Sequence, residues 1–303
     1  MDRMQRGYFR QAAENRYLKL KRHEFQSWIG QILKLSYLGD YENIRLTQGD
    51  GGLDGIILSR AAVVAVNAPR DQTAGSLAEK IKGDFISARK TLRDRSVDLK
   101  VFIFVHNDEG LTKDIGPLLM TLRQDNSGIE IECWTFESIW KELTKLEVAQ
   151  LEDFFGPGPT VENVEQLQMP AIREVIAYLT EFGREAPALG DLEIPDPQKL
   201  EYNQLASENQ DLLRIGRSKH RMVETYLEGV TDIEAGNDIA EGFRKKYAAV
   251  RESGMGPDDI FHVLWNFAGG NHFTTPRQVA AVTAILSYFF HSCDIFENVP
   301  EAS

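Results

Sequence analysis

Val101-Phe102-Ile103-Phe104-Val105 carries no polar residue on either side of its alternation, so a strand formed here must be covered on both faces. Such a strand needs helices above and below its sheet, and the neighbouring sequence supplies them. Residues 8–38 predict a helix, with Phe25, Trp28, Ile29, Ile32 and Leu33 at three-and-four spacing, ending near Gly39-Asp40. A second helix is predicted over 76–92, burying Leu77, Ile81, Phe85, Ala88 and Leu92. Three short strand-like runs lie between them, at 43–47, 55–58 and 61–66, the first two separated by the turn Gly49-Asp50-Gly51-Gly52. Helix over 112–123, strand over 129–134 and helix over 136–146 complete an alternating order, which implies an α/β sheet with an early hairpin or meander.

The pattern changes near residue 155. Six of the eleven prolines fall between Pro157 and Pro197, interrupted by one helical stretch over 171–182. Beyond it the chain reads as helical over 201–230, 234–253, 257–269 and 276–293, with no convincing strand. The expected organisation is an α/β domain over 1–155, a proline-rich connector over 156–200, and an all-α domain over 201–303.

Charge follows the same division. The net charge of −12 conceals 22 Lys+Arg against 21 Asp+Glu in residues 1–150, and 12 against 25 in the remainder. Seven basic residues (Arg3, Arg6, Arg10, Arg16, Lys19, Lys21, Arg22) lie among the first 22. A phosphate backbone could approach the first half and would be repelled by the second, although a basic helix face is often only solvated. Two cysteines, Cys133 and Cys293, form no disulfide framework and no metal spacing. No apolar run approaches the roughly 20 residues of a membrane span, and residues 1–22 lack a signal peptide's apolar stretch. A cytoplasmic protein with no membrane association is expected.

Chemistry concentrates around Glu24, the segment Gly-Asp-Gly-Gly-Leu-Asp-Gly at 49–55, and Val63-Val64-Ala65-Val66-Asn67-Ala68-Pro69. A hydrolytic metal site for phosphodiesters needs hard oxygen ligands. Asp54 opens a strand after a glycine-rich turn, Asn67 lies on the next strand, and a helical Glu24 could add a further oxygen. Aspartate in such a turn is more often turn chemistry alone. Lys80 and Lys82 flank Ile81 and therefore point to opposite sides of the buried stripe. His106-Asn107-Asp108, closing the buried strand, sits where open α/β sheets place functional groups, or closes a turn. Asp258 and Thr275 are candidate helix caps, and His220 is a lone helical histidine.

This constellation resembles the PD-(D/E)xK restriction-endonuclease superfamily in its Mrr-like and Cap4-like branches, which carry a helical Glu, a motif like G-x-G-D-x-G-x-D-G, and a strand ending in Q-x-K or E-x-K. The resemblance implies a restriction-endonuclease-like α/β fold and a Mg²⁺- or Mn²⁺-dependent nuclease with Glu24, Asp54 and Asn67 as ligands. The departure is that Asn67 stands for Glu or Gln, and Pro69 for the lysine. Either the lysine has migrated to Lys80 or Lys82, Lys80 being preferred, or the domain is a catalytically dead nuclease fold that binds DNA or a partner.

The runs LASENQDLLRIGRSKHRMVETYLEG (205–229) and LSYFFHSCDIFENVP (286–300) resemble the helical C-terminal domains of bacterial three-component ABC-ATPase conflict systems, including Lamassu-type anti-phage defence; FIFVHND (102–108) is similar to effectors of that group. The resemblance implies an effector that cuts double-stranded DNA, restrained by an SMC-like ABC ATPase and a small third subunit, with homo-oligomerisation open. From the residues themselves, Ile295 and Phe296 could form an exposed anchor, although aromatic density at a chain end more often packs on itself. A non-catalytic adaptor between ATPase and DNA is the competing expectation.

Overall fold

The computed structural model describes residues 1–44, 53–69, 74–107, 115–183, 199–230, 235–292 and 295–297. The turn expected at 49–52, Asp108 and Cys293 lie outside the described residues. The chain forms two compact units, Ala13–Glu147, and Met1–Ala12 together with Val148–Ser303.

The helix expected over 8–38 is two helices, α1 (Arg3–Lys19) and α2 (Arg22–Ser36). Nothing in Leu20-Lys21 forbids a helix; the break is made by tertiary bonds. The Arg22 amide donates to the Ala68 carbonyl at 2.6 Å, and Arg22 takes the left-handed φ of 51°. The buried Asn107 carboxamide donates to the Tyr17 and Leu20 carbonyls at 3.1 and 2.8 Å, satisfying acceptors that the end of α1 leaves open. Asn107 thus ties the end of β4 to the break between α1 and α2, a role other than the substrate contact or turn closure considered for it.

There follow β1 (Tyr41–Asn43), β2 (Gly55–Ile57), β3 (Ala62–Asn67), α3 (Ala74–Arg93), β4 (Val101–His106), α4 (Ile115–Asp125), β5 (Glu130–Trp134) and α5 (Phe136–Leu143). The sheet order is β1-β2-β3-β4-β5. β1, β2 and β3 pair antiparallel; β3, β4 and β5 pair parallel through the crossovers α3 and α4. One core joins Leu77, Ile81 and Phe85 of α3 and Leu119 of α4 to Val63, Ala65, Phe102 and Phe104 of the sheet. On the other face α2 packs on β1, β3 and α5, with Phe25, Trp28, Ile29, Ile32 and Leu33 buried. All six residues of β4 are buried, as an unbroken apolar run between two helical layers demands.

The second unit is helical: α6 (Val148–Phe155), α7 (Val161–Glu165), α8 (Met169–Gly183), α9 (Lys199–Tyr202), α10 (Ser207–Arg217), α11 (His220–Gly229), α12 (Ala235–Glu252), α13 (Pro257–Phe267) and α14 (Pro276–Ser292). The proline-bearing stretch therefore carries α7 as well as α8, and the single helix expected over 201–230 is three. Every residue of α14 from Val279 to Ser292 is buried, because α7, α8, α10, α11 and α13 all pack against it. Two of its polar members are satisfied internally: the Ser287 hydroxyl donates to the Leu213 carbonyl at 2.7 Å and Thr283 to the Val279 carbonyl at 2.9 Å. Thr275 and Gln278 form the capping pair that opens α14. Asp258 does not cap its own helix; its carboxylate accepts from the Ala206 amide and the Asn209 carboxamide at the start of α10. Ile295 and Phe296 are buried at 0% and 5% exposure, with Phe296 against Phe290 and Tyr247, so they are core and not an exposed anchor.

Candidate functional site

Asp54 immediately precedes β2 and is 8% exposed. The β2–β3 register pairs Gly55 with Val64, and its continuation would set Asp54 opposite Ala65. Instead the Asp54 amide donates to the Val64 carbonyl at 2.9 Å, and carboxylate Oδ2 accepts the Val66 amide at 2.6 Å. A side-chain oxygen thus completes the end of the ladder and holds the carboxylate one residue before Asn67, the last residue of β3.

The other oxygen, Oδ1, accepts from Nε2 of Gln26 on α2. Gln26 Oε1 lies 3.3 Å from His23 Nδ1. Glu24, the helical residue expected at the site, is exposed in the first turn of α2, and the structure brings Gln26 to Asp54 in its place. Tyr41 also reaches this corner. Burial and the Asp54 carboxylate raise the Tyr41 phenol far above its ordinary pKa, and its hydroxyl donates to Asn43 Oδ1 at 2.9 Å. The Tyr41 ring occupies the space that a Cβ on Gly55 would need, which explains a glycine directly after the aspartate.

On the opposite layer, α3 begins shortly after β3 ends. Lys80, in its second turn, donates to Asp84 Oδ1 at 2.8 Å; the lysine side chain is 40% exposed and the aspartate 8%. Lys82 is exposed, on the other side of buried Ile81. His106 ends β4 opposite Asn67 in the parallel register and is buried against Phe104. Asp54, Gln26 and the Val66 amide are therefore brought together, with Asn67 the next residue of β3, Lys80 is tied to Asp84 on α3, and Glu24 and Lys82 are exposed. Sequence reasoning missed Gln26, Tyr41 and Asp84. Asp84 carried a signal, since it falls four residues after Lys80 and on the stripe of Leu77 and Ile81.

Among the described residues no three His, Cys, Asp or Glu side chains come together to hold a metal. The donor set at Asp54 is thinner than that: one carboxylate, with Asn67 following the Val66 whose amide it holds. A carboxylate offers about four lone-pair positions, and the Gln26 and Val66 donors take two of those on Asp54 among its partners. Mg²⁺ keeps several waters and commonly takes only one or two protein carboxylates, so this oxygen set is chemically compatible with it. No helix among the described residues is long and apolar enough to cross a membrane.

Residues 171–297 match the family model for C-terminal domain 10 of the ABC-three component (ABC-3C) systems. The match begins within α8 and runs past the end of α14. No curated protein and no solved structure matches the chain.

Proposed function

We propose that this chain is the effector subunit of an ABC-three component anti-phage system, and that its sheet-bearing unit is a metal-dependent endonuclease for double-stranded DNA with a restriction-endonuclease-like fold. The observation that carries the reading is the Asp54 carboxylate at the end of β3, one residue before Asn67, in a chain whose residues 171–297 match an ABC-3C C-terminal domain. The order of α2, three antiparallel strands, crossover helix and parallel strand supports the same reading.

Asp54 and Asn67 would hold Mg²⁺ or Mn²⁺, and Gln26, whose carboxamide nitrogen donates to Asp54, steadies that carboxylate from α2 where Glu24 was expected as a ligand. Bound there, the ion supplies an activated water and charge neutralisation. Lys80, steadied by Asp84, offers its ammonium to the charge that builds on the phosphate, and Lys82 stays with solvent. The acidic second unit serves as the surface on which an SMC-like ATPase and a small third subunit restrain the effector. The test is cleavage of linear, supercoiled and single-stranded DNA with Mg²⁺ or Mn²⁺, by the chain alone and assembled with both partners. Wild type cuts double-stranded DNA and Asp54→Ala does not; failure of every assembly to cut any form overturns the nuclease.

A second reading, a non-catalytic adaptor between ATPase and DNA, is favoured by Asn67 and Pro69 standing where the superfamily pattern has a carboxylate or Gln and a lysine. Under that reading, cells carrying Asp54→Ala keep their defence.

A further inference from the structure

We infer that the elbow between α1 and α2 is a contact surface for the phosphate backbone of duplex DNA, made by Lys19, Lys21 and Arg22 beside Asp54. The inference rests on the DNA-acting reading above and deepens it by naming where the duplex lies.

Seven basic residues crowd the first 22, but the structure divides them. Arg6 bonds Glu208 at 2.9 Å, Arg3 lies 3.9 Å from Asp211, and Arg10 is 2% exposed. These three belong to the helical unit and are committed there. Arg16 is half-buried, and desolvation lowers its pKa. Lys19 and Arg22 are exposed and Lys21 is half-buried, and among the described residues none of their side chains makes a hydrogen bond or ion pair. Glu24 is the one acid between positions 19 and 26.

The position of these cations is set by the fold. The Arg22 amide is bonded to the Ala68 carbonyl, two residues beyond Val66, and Asn107 holds the Tyr17 and Leu20 carbonyls on the other side of the elbow. Arg22 keeps a left-handed φ of 51°, which a residue with a side chain adopts where its surroundings hold it. Four residues later, about 6 Å along the helix, Gln26 meets Asp54. The unpaired cations therefore border the carboxylate proposed to act on a phosphodiester. Three cations on an anchored backbone match a run of phosphates and read no base.

The probe is a fluorescent 30-base-pair duplex titrated with the full chain in EDTA, so that nothing is cut, at several salt concentrations. Reversing Lys19, Lys21 and Arg22 to Glu weakens binding at least about tenfold at low salt and reduces the slope of log K against log salt by about two to three. The triple Gln variant falls between, and thermal melts of both report folding. Arg89→Glu with Arg93→Glu, at the C-terminal end of α3, changes affinity less than about twofold under this inference. Wild type that binds no duplex, elbow variants that bind normally, or an equal loss in the Arg89/Arg93 pair each overturn the surface. An acidic protein partner held by the elbow would show as unchanged DNA binding with lost assembly, which also overturns it. Cutting abolished by Asp54→Asn while the elbow variants bind normally leaves the nuclease standing and the surface fallen; lost salt slope in a chain that never cuts does the reverse.

Discussion

The Asp54 carboxylate accepts the Val66 amide at 2.6 Å, so one side chain both terminates the β2–β3 ladder and presents charge at the end of β3. Structure and chemistry can be separated by substitution. Asp54→Ala leaves the Val66 amide without that acceptor and costs about 1–3 kcal/mol in urea unfolding. Asp54→Asn keeps a carbonyl oxygen for Val66, costs less, and still lowers cleavage at least about a hundredfold. An Asn variant that cuts at the wild-type rate removes Asp54 from the chemistry.

Lys80 and Lys82 should behave differently. Lys80→Ala takes the ammonium from Asp84, a buried carboxylate, and destabilises the chain by about 1 kcal/mol while reducing cleavage. Lys82→Ala, at an exposed position, stays within about 0.5 kcal/mol of wild type and cuts normally. Equal effects at the two positions would refute the assignment of Lys80.

Gly55→Ala forces the Tyr41 ring from its seat, because a Cβ would overlap its hydroxyl end. A loss of about 1–3 kcal/mol is expected, the usual cost of overpacking. Combining it with Tyr41→Ala should cost less than the two single losses together, as residues in contact do in a double-mutant cycle. Strict additivity would show that the two do not meet.

His291, 4% exposed on α14, has neither ring nitrogen hydrogen-bonded, and burial, then Arg217, Lys199 and His220, lower its pKa to about 4. The unfolded imidazole titrates near about 6.5. The unfolded chain therefore binds the proton more tightly, and stability, complete above the unfolded pKa, falls as pH drops from about 6.5 to about 4 and then levels. The loss is of the order of 3 kcal/mol at most. Denaturant unfolding across this range, compared with His291→Leu, checks it: the variant should lack this component of the pH dependence.

The helical stripe of α3 and the buried run of β4 were legible because periodicity reports which side of an element leaves water. The site was less so. Glu24 and Gln26 flank Phe25 on α2 and lie about 100° to either side of the buried stripe at 3.6 residues per turn. Both are polar borders of one face, and nothing local tells which border meets Asp54. The charge cluster of the first 22 residues was visible, whereas its division between committed arginines and open lysines depended on Glu208 and Asp211, about two hundred positions away.

Local order was sufficient for what depends on local bonds: the strand over 101–106, the capping pair Thr275–Gln278, and the helical second half. Long-range partners decided the rest. Ala68 and Asn107 broke a helix that its own sequence would have continued, Ala206 drew Asp258 away from capping α13, and Tyr247 with Phe290 buried Phe296. Each of those choices sets a hydrogen bond or an apolar contact against a local preference worth about 1 kcal/mol, and a partner distant in sequence leaves no periodic trace.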